Sequence, residues 1–279
     1  MGNFKGKIVV ITGAGSGIGK SLALEFGKLG AKLALNDYNH KGLSETCQIL
    51  QKDGYDQIYF ETFDVSDNND FLRFAENIKN KWGNAHVIIN NAGIAGSTKP
   101  SFITPLSEYK KVMEINFFGV LNGTKAFLPQ LVANNEGAIV NLSSVMGLIG
   151  YPSLSDYCAS KFAIRGYTES LALEFHSSPI SIHCVHPGGI NTNINESKLN
   201  NDVNNDRIAR KLLITPPELM AKRIIKGIVR GEPRIVFGNQ TNPVRLVSLL
   251  PKKFANNLIW KRVKNLLIKK HYKKFNVEP

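Results

Sequence analysis

TGAGSGIG, Thr12 to Gly19, stands between the apolar run KIVVI and the helix-like SLALEFGKLG. Glycines at 13, 17 and 19 permit a tight turn and let backbone approach a pyrophosphate at a helix N-terminus. A glycine-rich turn without a ligand would use the same residues. What raises the reading is position, directly after a first strand and before a first helix.

Working outward, short β-rich runs alternate with segments of helical period. KIVVIT (7–12), KLALND (32–37), IYFETFD (58–64), HVIINN (86–91), AIVNLSS (138–144) and ISIHCVH (180–186) read as strands, with RIVFG (234–238) a weaker seventh. Several are apolar at nearly every position, as strands covered on both faces are. Between them, Ser66 is expected to cap a helix with Phe71, Phe74, Ile78 and Trp82 on one face and Gly83 at its end. A stripe from Leu106 through Tyr109, Val112, Met113, Phe117, Val120, Leu121 and Phe127 to Leu128 predicts one long helix. Thr215, Pro216 and Glu218 predict a capping box with proline at the first helical position. The alternation specifies an α/β fold, a single Rossmann-type doubly wound parallel sheet of about seven strands with helices on both faces.

Asp37 closes the second strand, 18 residues after Gly19. A carboxylate there accepts hydrogen bonds from ribose hydroxyls and repels a 2′-phosphate. Its neighbours are Ser16 and Tyr38, with no arginine to hold such a phosphate. NAD is therefore favoured over NADP. The plainer alternative is a strand-end turn residue.

With these residues in place, the sequence resembles the classical short-chain dehydrogenase/reductase family over about residues 4–238. TGAGSGIG fits its glycine signature, Asp64-Val65 the pair beside the adenine, and NNAG (90–93) the strand-four motif. Asn116, Ser144, Tyr157 and Lys161 fit its catalytic residues, and Pro187-Gly188 with Thr192 fits the segment holding the carboxamide. The resemblance implies strand order 3-2-1-4-5-6-7. It also implies a cofactor site of Gly13, Ser16, Gly17, Ile18, Gly19, Asp37, Asp64, Val65, Asn91, Ala92, Gly93, Tyr157, Lys161, Pro187, Gly188, Ile190 and Thr192. Pairing through helices that here include 106–132 and 156–176 would make a homodimer or homotetramer.

YCASK (157–161) puts Tyr157 and Lys161 one helical turn apart. Moving a hydride to or from a carbonyl carbon needs a proton partner for the oxygen, and tyrosine's ordinary pKa of ~10 is high for that task. A neighbouring ammonium is expected to draw it down, and an oxidised nicotinamide to add to the effect. Ser144, 13 residues before Tyr157, can donate to the substrate oxygen; Ser143 should point the other way, because strand side chains alternate. By resemblance, Lys161 also binds ribose hydroxyls, and Asn116 holds a helix irregularity and a water relaying protons to Lys161. The similar enoyl reductases space the Tyr–Lys pair more widely, and the extended epimerases have a differently spaced glycine motif. His183 and His186 flank Cys184 without a matching cluster elsewhere and read as packed histidines, so no metal is expected. Asp156 reads as a helix-start residue.

The chain has 279 residues, enough for one large domain with an appendage. Its three scattered cysteines suit free thiols in a reducing, cytoplasmic setting. No run approaches the ~20 apolar residues of a membrane span. The net charge of +13 is unevenly placed: residues 1–206 hold 17 basic and 19 acidic side chains, residues 207–279 hold 18 and 3. Residues 1–240 are thus expected to form the dinucleotide-binding and catalytic domain, with a substrate loop at about 190–214. Residues 241–279 are expected to form a basic amphipathic helical extension.

Within 243–275, Phe254, Leu258, Val263, Leu266 and Leu267 can share an apolar face among clustered lysines, with Trp260 at a water–lipid boundary. Such a helix suits an anionic membrane surface, or else packs on its own domain or a partner subunit. No motif supports specific nucleic-acid readout. Gly96, Leu148, Ile149, Tyr151 and Pro152 are expected at the pocket mouth, which favours an apolar alcohol or ketone such as a steroid, retinoid or lipid. The alternative function is a non-catalytic NAD-binding regulatory or membrane-attachment protein on the same fold.

Overall fold

The computed structural model describes residues 2–192, 194 and 213–267. Seven strands form one sheet in the order β3-β2-β1-β4-β5-β6-β7. They are β1 Ile8–Thr12, β2 Lys32–Asp37, β3 Ile58–Thr62, β4 Val87–Asn90, β5 Gly137–Leu142, β6 Ile180–Pro187 and β7 Arg234–Phe237. Every pairing is parallel. The winding reverses between β1 and β4, which opens a crevice beyond their carboxyl ends.

The helices are α1 Gly17–Lys28, α2 His40–Lys52, α3 Asn68–Trp82, α4 Leu106–Met113, α5 Gly119–Asn134, α6 Ser155–Glu174, α7 Pro217–Val229, α8 Thr241–Leu249 and α9 Lys252–Leu267. Strand alternation divides the core in two. Val9, Ile11, Leu33 and Leu35 pack with Leu22 and Phe26 of α1, Leu43 of α2 and Ile224 of α7. Ile8, Val10 and Ile88 face the other way, onto Phe71 and Phe74 of α3, Phe127 of α5 and Leu171 of α6. Burying both faces is what continuous apolar strands require.

Three local expectations are corrected. Asp67, not Ser66, caps α3, accepting from the Asn69 and Asp70 N–H groups; Ser66 instead donates to Asp64. A carboxylate accepts more strongly than a hydroxyl, and here it stands one residue nearer the helix. Thr215 makes no cap either. It bridges to Ile190, its hydroxyl accepts from the Asn239 N–H, and α7 starts at Pro217. The long helix predicted from Leu106 is interrupted by a π turn, Glu114–Phe118. Leu106, the first residue of α4, is 70% exposed, while Val112, Val120 and Phe127 are buried.

After β7 the chain continues as α8 and α9. Of the expected substrate loop, residues 193 and 195–212 lie outside the described residues, as do residues 268–279 of the extension. Among the described residues no helix is long and apolar enough to cross a membrane.

Candidate active site

The crevice is built first by its glycine turn. Gly13 and Gly17 have φ of 66° and 51°, the left-handed region that only glycine enters freely. A Cβ at Gly19 would stand 2.0 Å from the Gly13 carbonyl oxygen, so the turn closes only on hydrogen. Thr12 and Asn91 bind it to β4. The Thr12 hydroxyl accepts from the Asn91 and Ala92 N–H groups at 3.0 and 3.1 Å, and the Asn91 amide donates to the Thr12 and Gly13 carbonyls. The start of α1 has no side-chain cap at Ser16 and no acidic residue in its first turn. A helix N-terminus left open in this way suits an anionic pyrophosphate. Thr192 reaches the same turn, 2.9 Å from where a Gly17 Cβ would be, so the Pro187–Thr192 segment borders the crevice.

At the end of β2, the buried Asp37 accepts from the Gly15 N–H at 2.8 Å and the Asn39 N–H at 2.9 Å. Its carboxylate braces the glycine turn and keeps free lone pairs for a ribose. Asp64 accepts from Ser66, and buried Val65 packs where α5 begins at Gly119.

At the other wall stand Ser144, Tyr157, Lys161 and Asn116. Ser144 follows β5, and its hydroxyl stands beside the Tyr157 phenol, whose pKa it draws down. It also accepts from the Met146 N–H at 3.1 Å. Ser143 points away, donating to the Lys161 carbonyl at 2.8 Å, as strand alternation requires. Tyr157 and Lys161 share one face of α6, with Lys161 Nζ 5.6 Å from the tyrosine ring centroid. The same Nζ donates to the Leu142 carbonyl at 2.9 Å. A Cβ on Gly93 would lie 3.5 Å from Lys161 Nζ and 3.0 Å from Asn116 Oδ1, so glycine there keeps the three groups together.

Asn116 sits fully buried in the π turn. Its Oδ1 accepts from the Ile94 N–H at 2.8 Å, and its Nδ2 donates to the Ile94 carbonyl and the Ser160 hydroxyl at 3.0 Å each. The π turn is what aims this side chain across to the β4 loop and α6.

The expected direction of the Tyr157 shift is corrected. Surrounding protein pushes the phenol up to about 12, against the pull of the Ser144 hydroxyl. Burial pushes the Lys161 amine down to about 8. Desolvation of both charged forms outweighs the ammonium's attraction for a phenolate.

Two residues do more than the sequence disclosed. Asp156 is buried, and its carboxylate accepts from the Ser97 and Tyr157 N–H groups, each at 2.7 Å. It ties the loop after β4 to the start of α6, and burial raises its pKa. His186 is fully buried, and its Nδ1–H donates to the Ser144 carbonyl at 2.9 Å. Burial holds its imidazole down at about 4. His183 lies between the Glu232 carbonyl and the Ser181 hydroxyl. All three cysteines are buried, with thiols pushed up to about 11 at Cys47 and Cys158 and about 12 at Cys184. At the mouth, Leu148 and Ile149 turn inward, while Tyr151 and Pro152 are half-buried.

Residues 7–203 match the short chain dehydrogenase family. The chain belongs to that family and carries the oxidoreductase fold and nicotinamide-binding architecture that define it. It is 39% identical to SadH of Mycobacterium tuberculosis over 257 residues, 89% of this chain and 92% of that one. Over 173 residues it is 44% identical to epidermal retinol dehydrogenase 2 of Mus musculus, covering 62% of this chain and 55% of the relative. A short chain dehydrogenase/reductase of Burkholderia phymatum, solved in complex with NAD, superposes with a TM-score of 0.83 at 26% identity, over 92% of this chain and 96% of that one.

Proposed function

We propose that this chain is an NAD-preferring oxidoreductase that interconverts an apolar secondary alcohol and its ketone, with Tyr157 as the acid–base residue. The observation that carries the reading is the gathering of Ser144 beside the Tyr157 phenol, with Lys161 Nζ 5.6 Å from its ring centroid and Asn116 behind them at Gly93. When bound, the nicotinamide supplies the hydride acceptor or donor. On reduction the Tyr157 phenol gives its proton to the carbonyl oxygen; on oxidation Tyr157 would take the hydroxyl proton as a phenolate, a form that the positive charge of a bound oxidised nicotinamide would favour. Ser144 donates to the substrate oxygen and stabilises the charge developing there.

Gly13, Ser16, Gly17, Ile18 and Gly19 would hold the pyrophosphate, and Asp37 the adenosine ribose. Asp64 and Val65 would flank the adenine. Asn91, Ala92, Gly93 and Lys161 would hold the nicotinamide ribose, and Pro187, Gly188, Ile190 and Thr192 the carboxamide. Asn116 would pass protons toward Lys161 through water. The preference for NAD rests on the Asp37 carboxylate, which would repel a 2′-phosphate. An apolar substrate is supported by Leu148 and Ile149 at the mouth and by the likeness to a retinol dehydrogenase.

We assign residues 1–240 to the catalytic domain and 241–279 to an extension that meets an anionic membrane surface. The enzyme would be a cytoplasmic homodimer or homotetramer paired through α4, α5 and α6. Incubation with NAD and a panel of retinol, hydroxysteroids and aliphatic secondary alcohols should produce NADH absorbance. Tyr157→Phe should abolish turnover while nucleotide binding, followed by protein fluorescence, persists. Turnover unchanged in that variant would remove Tyr157 from the chemistry.

A further inference from the structure

The two helices after β7 lie beside the mouth of the crevice. α8 packs on Val145–Gly147, the turn that follows Ser144. α9 is anchored inward by buried Ala255, and the Arg262 charge reaches the Tyr151 phenol, pulling its pKa down against burial. Their exposed faces carry large apolar side chains among polar and basic ones. Leu246 and Leu249 are 64% and 77% exposed on α8, and Phe254 and Leu258 are 64% and 47% exposed one turn apart on α9. A lone exposed leucine is ordinary; four large apolar side chains exposed on two consecutive, touching helices are not.

The charge around them has one sign. Between Glu232 and Glu278 the chain has 11 lysines and arginines and no carboxylate side chain. Arg245, Lys252, Lys253, Lys261 and Arg262 are exposed among the apolar residues. A second copy of this face would repel it, since both are cationic. Nucleic acid would satisfy the lysines and leave Leu249 and Phe254 in water. An anionic bilayer satisfies both, taking the apolar side chains below its headgroups and the cations among them.

We propose that α8 and α9 dock on an anionic phospholipid bilayer and thereby turn the Tyr151 side of the crevice toward the lipid, from which substrate enters. The docking deepens the membrane-facing assignment of 241–279 made above, and the entry route rests on the proposed apolar substrate.

The test sediments the full chain with vesicles of phosphatidylcholine containing about a quarter phosphatidylserine. Binding should appear there, weaken with salt, and be lost on phosphatidylcholine alone. Lys252→Gln with Lys253→Gln should weaken it about 30-fold. Leu249→Ser with Phe254→Ser should weaken it comparably, while Lys41→Gln with Lys79→Gln should match wild type. An added Cβ at Gly150 meets nothing within 4 Å, and the native thiols are buried, so Gly150→Cys accepts an environment-sensitive dye selectively. That dye should brighten and shift to the blue on the anionic vesicles. Absence of binding, wild-type binding by either docking variant, or pelleting that needs no vesicles would overturn the docking. A dye that stays water-exposed on bound protein would overturn the orientation. NADH formation in vesicle-free buffer reports on the enzymatic reading alone, so the two can fail separately.

Discussion

Lys161 Nζ donates at 2.9 Å to the carbonyl of Leu142, so the last residue of β5 holds the amine that stands beneath Tyr157. Its pKa falls from 10.5 to about 8, while that of Tyr157 rises from 10.0 to about 12. Between pH 8 and 10.5 the unfolded chain binds more protons at Lys161 than the folded one, so that residue makes stability rise with pH. Above pH 10 the folded chain keeps the Tyr157 proton longer, so stability falls as pH climbs toward 12. Denaturant midpoints should therefore rise from pH 8 to 10 in wild type, and Lys161→Met should flatten that rise. An unaltered slope in the variant would reject the assignment.

Asp37→Asn keeps one acceptor for the Gly15 N–H but removes the charge. The ratio of kcat/KM for NADP to that for NAD should increase about tenfold or more, equivalent to about 1.4 kcal/mol. Initial rates with the two nucleotides measure this directly. An unchanged ratio would leave Asp37 as a brace of the glycine turn and nothing else.

Asp156→Ala strands the buried Ser97 N–H. Loss of one such partner costs about 1–3 kcal/mol, which a thermal melt should register as a lower Tm. Because the same carboxylate ties the β4 loop to α6, KM for substrate should rise more than KM for NAD. A variant as stable as wild type would mean that Ser97 finds another acceptor.

Gly19→Ala drives a methyl group into the Gly13 carbonyl oxygen. The turn must open, at about 1–3 kcal/mol of stability, and NADH affinity should drop at least about tenfold. Titration by NADH fluorescence settles it. Wild-type affinity would show that the turn tolerates opening and that its close approach is not needed.

Legibility followed the range of the interactions. The strands could be read because burial on both faces leaves a local mark, a run of apolar residues such as Val87 to Ile89. Ser144 could be told from Ser143 because its 13-residue spacing to Tyr157 matches the family's, and strand alternation then turns the neighbour away. Asp156 could not be valued, since its partner Ser97 lies 59 residues away and nothing beside it announces the contact. The Tyr157 shift was missed for a similar reason. Proximity to Lys161 is written in the spacing, whereas desolvation depends on everything that packs round both groups. The cap at α3 was misplaced by one residue because Ser66 and Asp67 are adjacent candidates whose choice is made by backbone angles. The helix from Leu106 was drawn unbroken because periodicity alone does not reveal a π turn, and Leu106 was counted into its stripe although it opens α4 at the surface.

That turn has a consequence for how the segment tolerates change. Five residues, Glu114–Phe118, wind with one more residue than an α-helix would use, so everything after them is rotated by about 100° relative to a straight rod. Excising any one of them would let the segment close as a regular α-helix with Phe127 and Leu131 still on the sheet, but the bulge that aims Asn116 at the β4 loop and α6 would be gone. The distance in residues from Met113 to Gly119 is thus as much a part of this crevice as the side chains within it: losing one would spare the sheet and still dismantle the site.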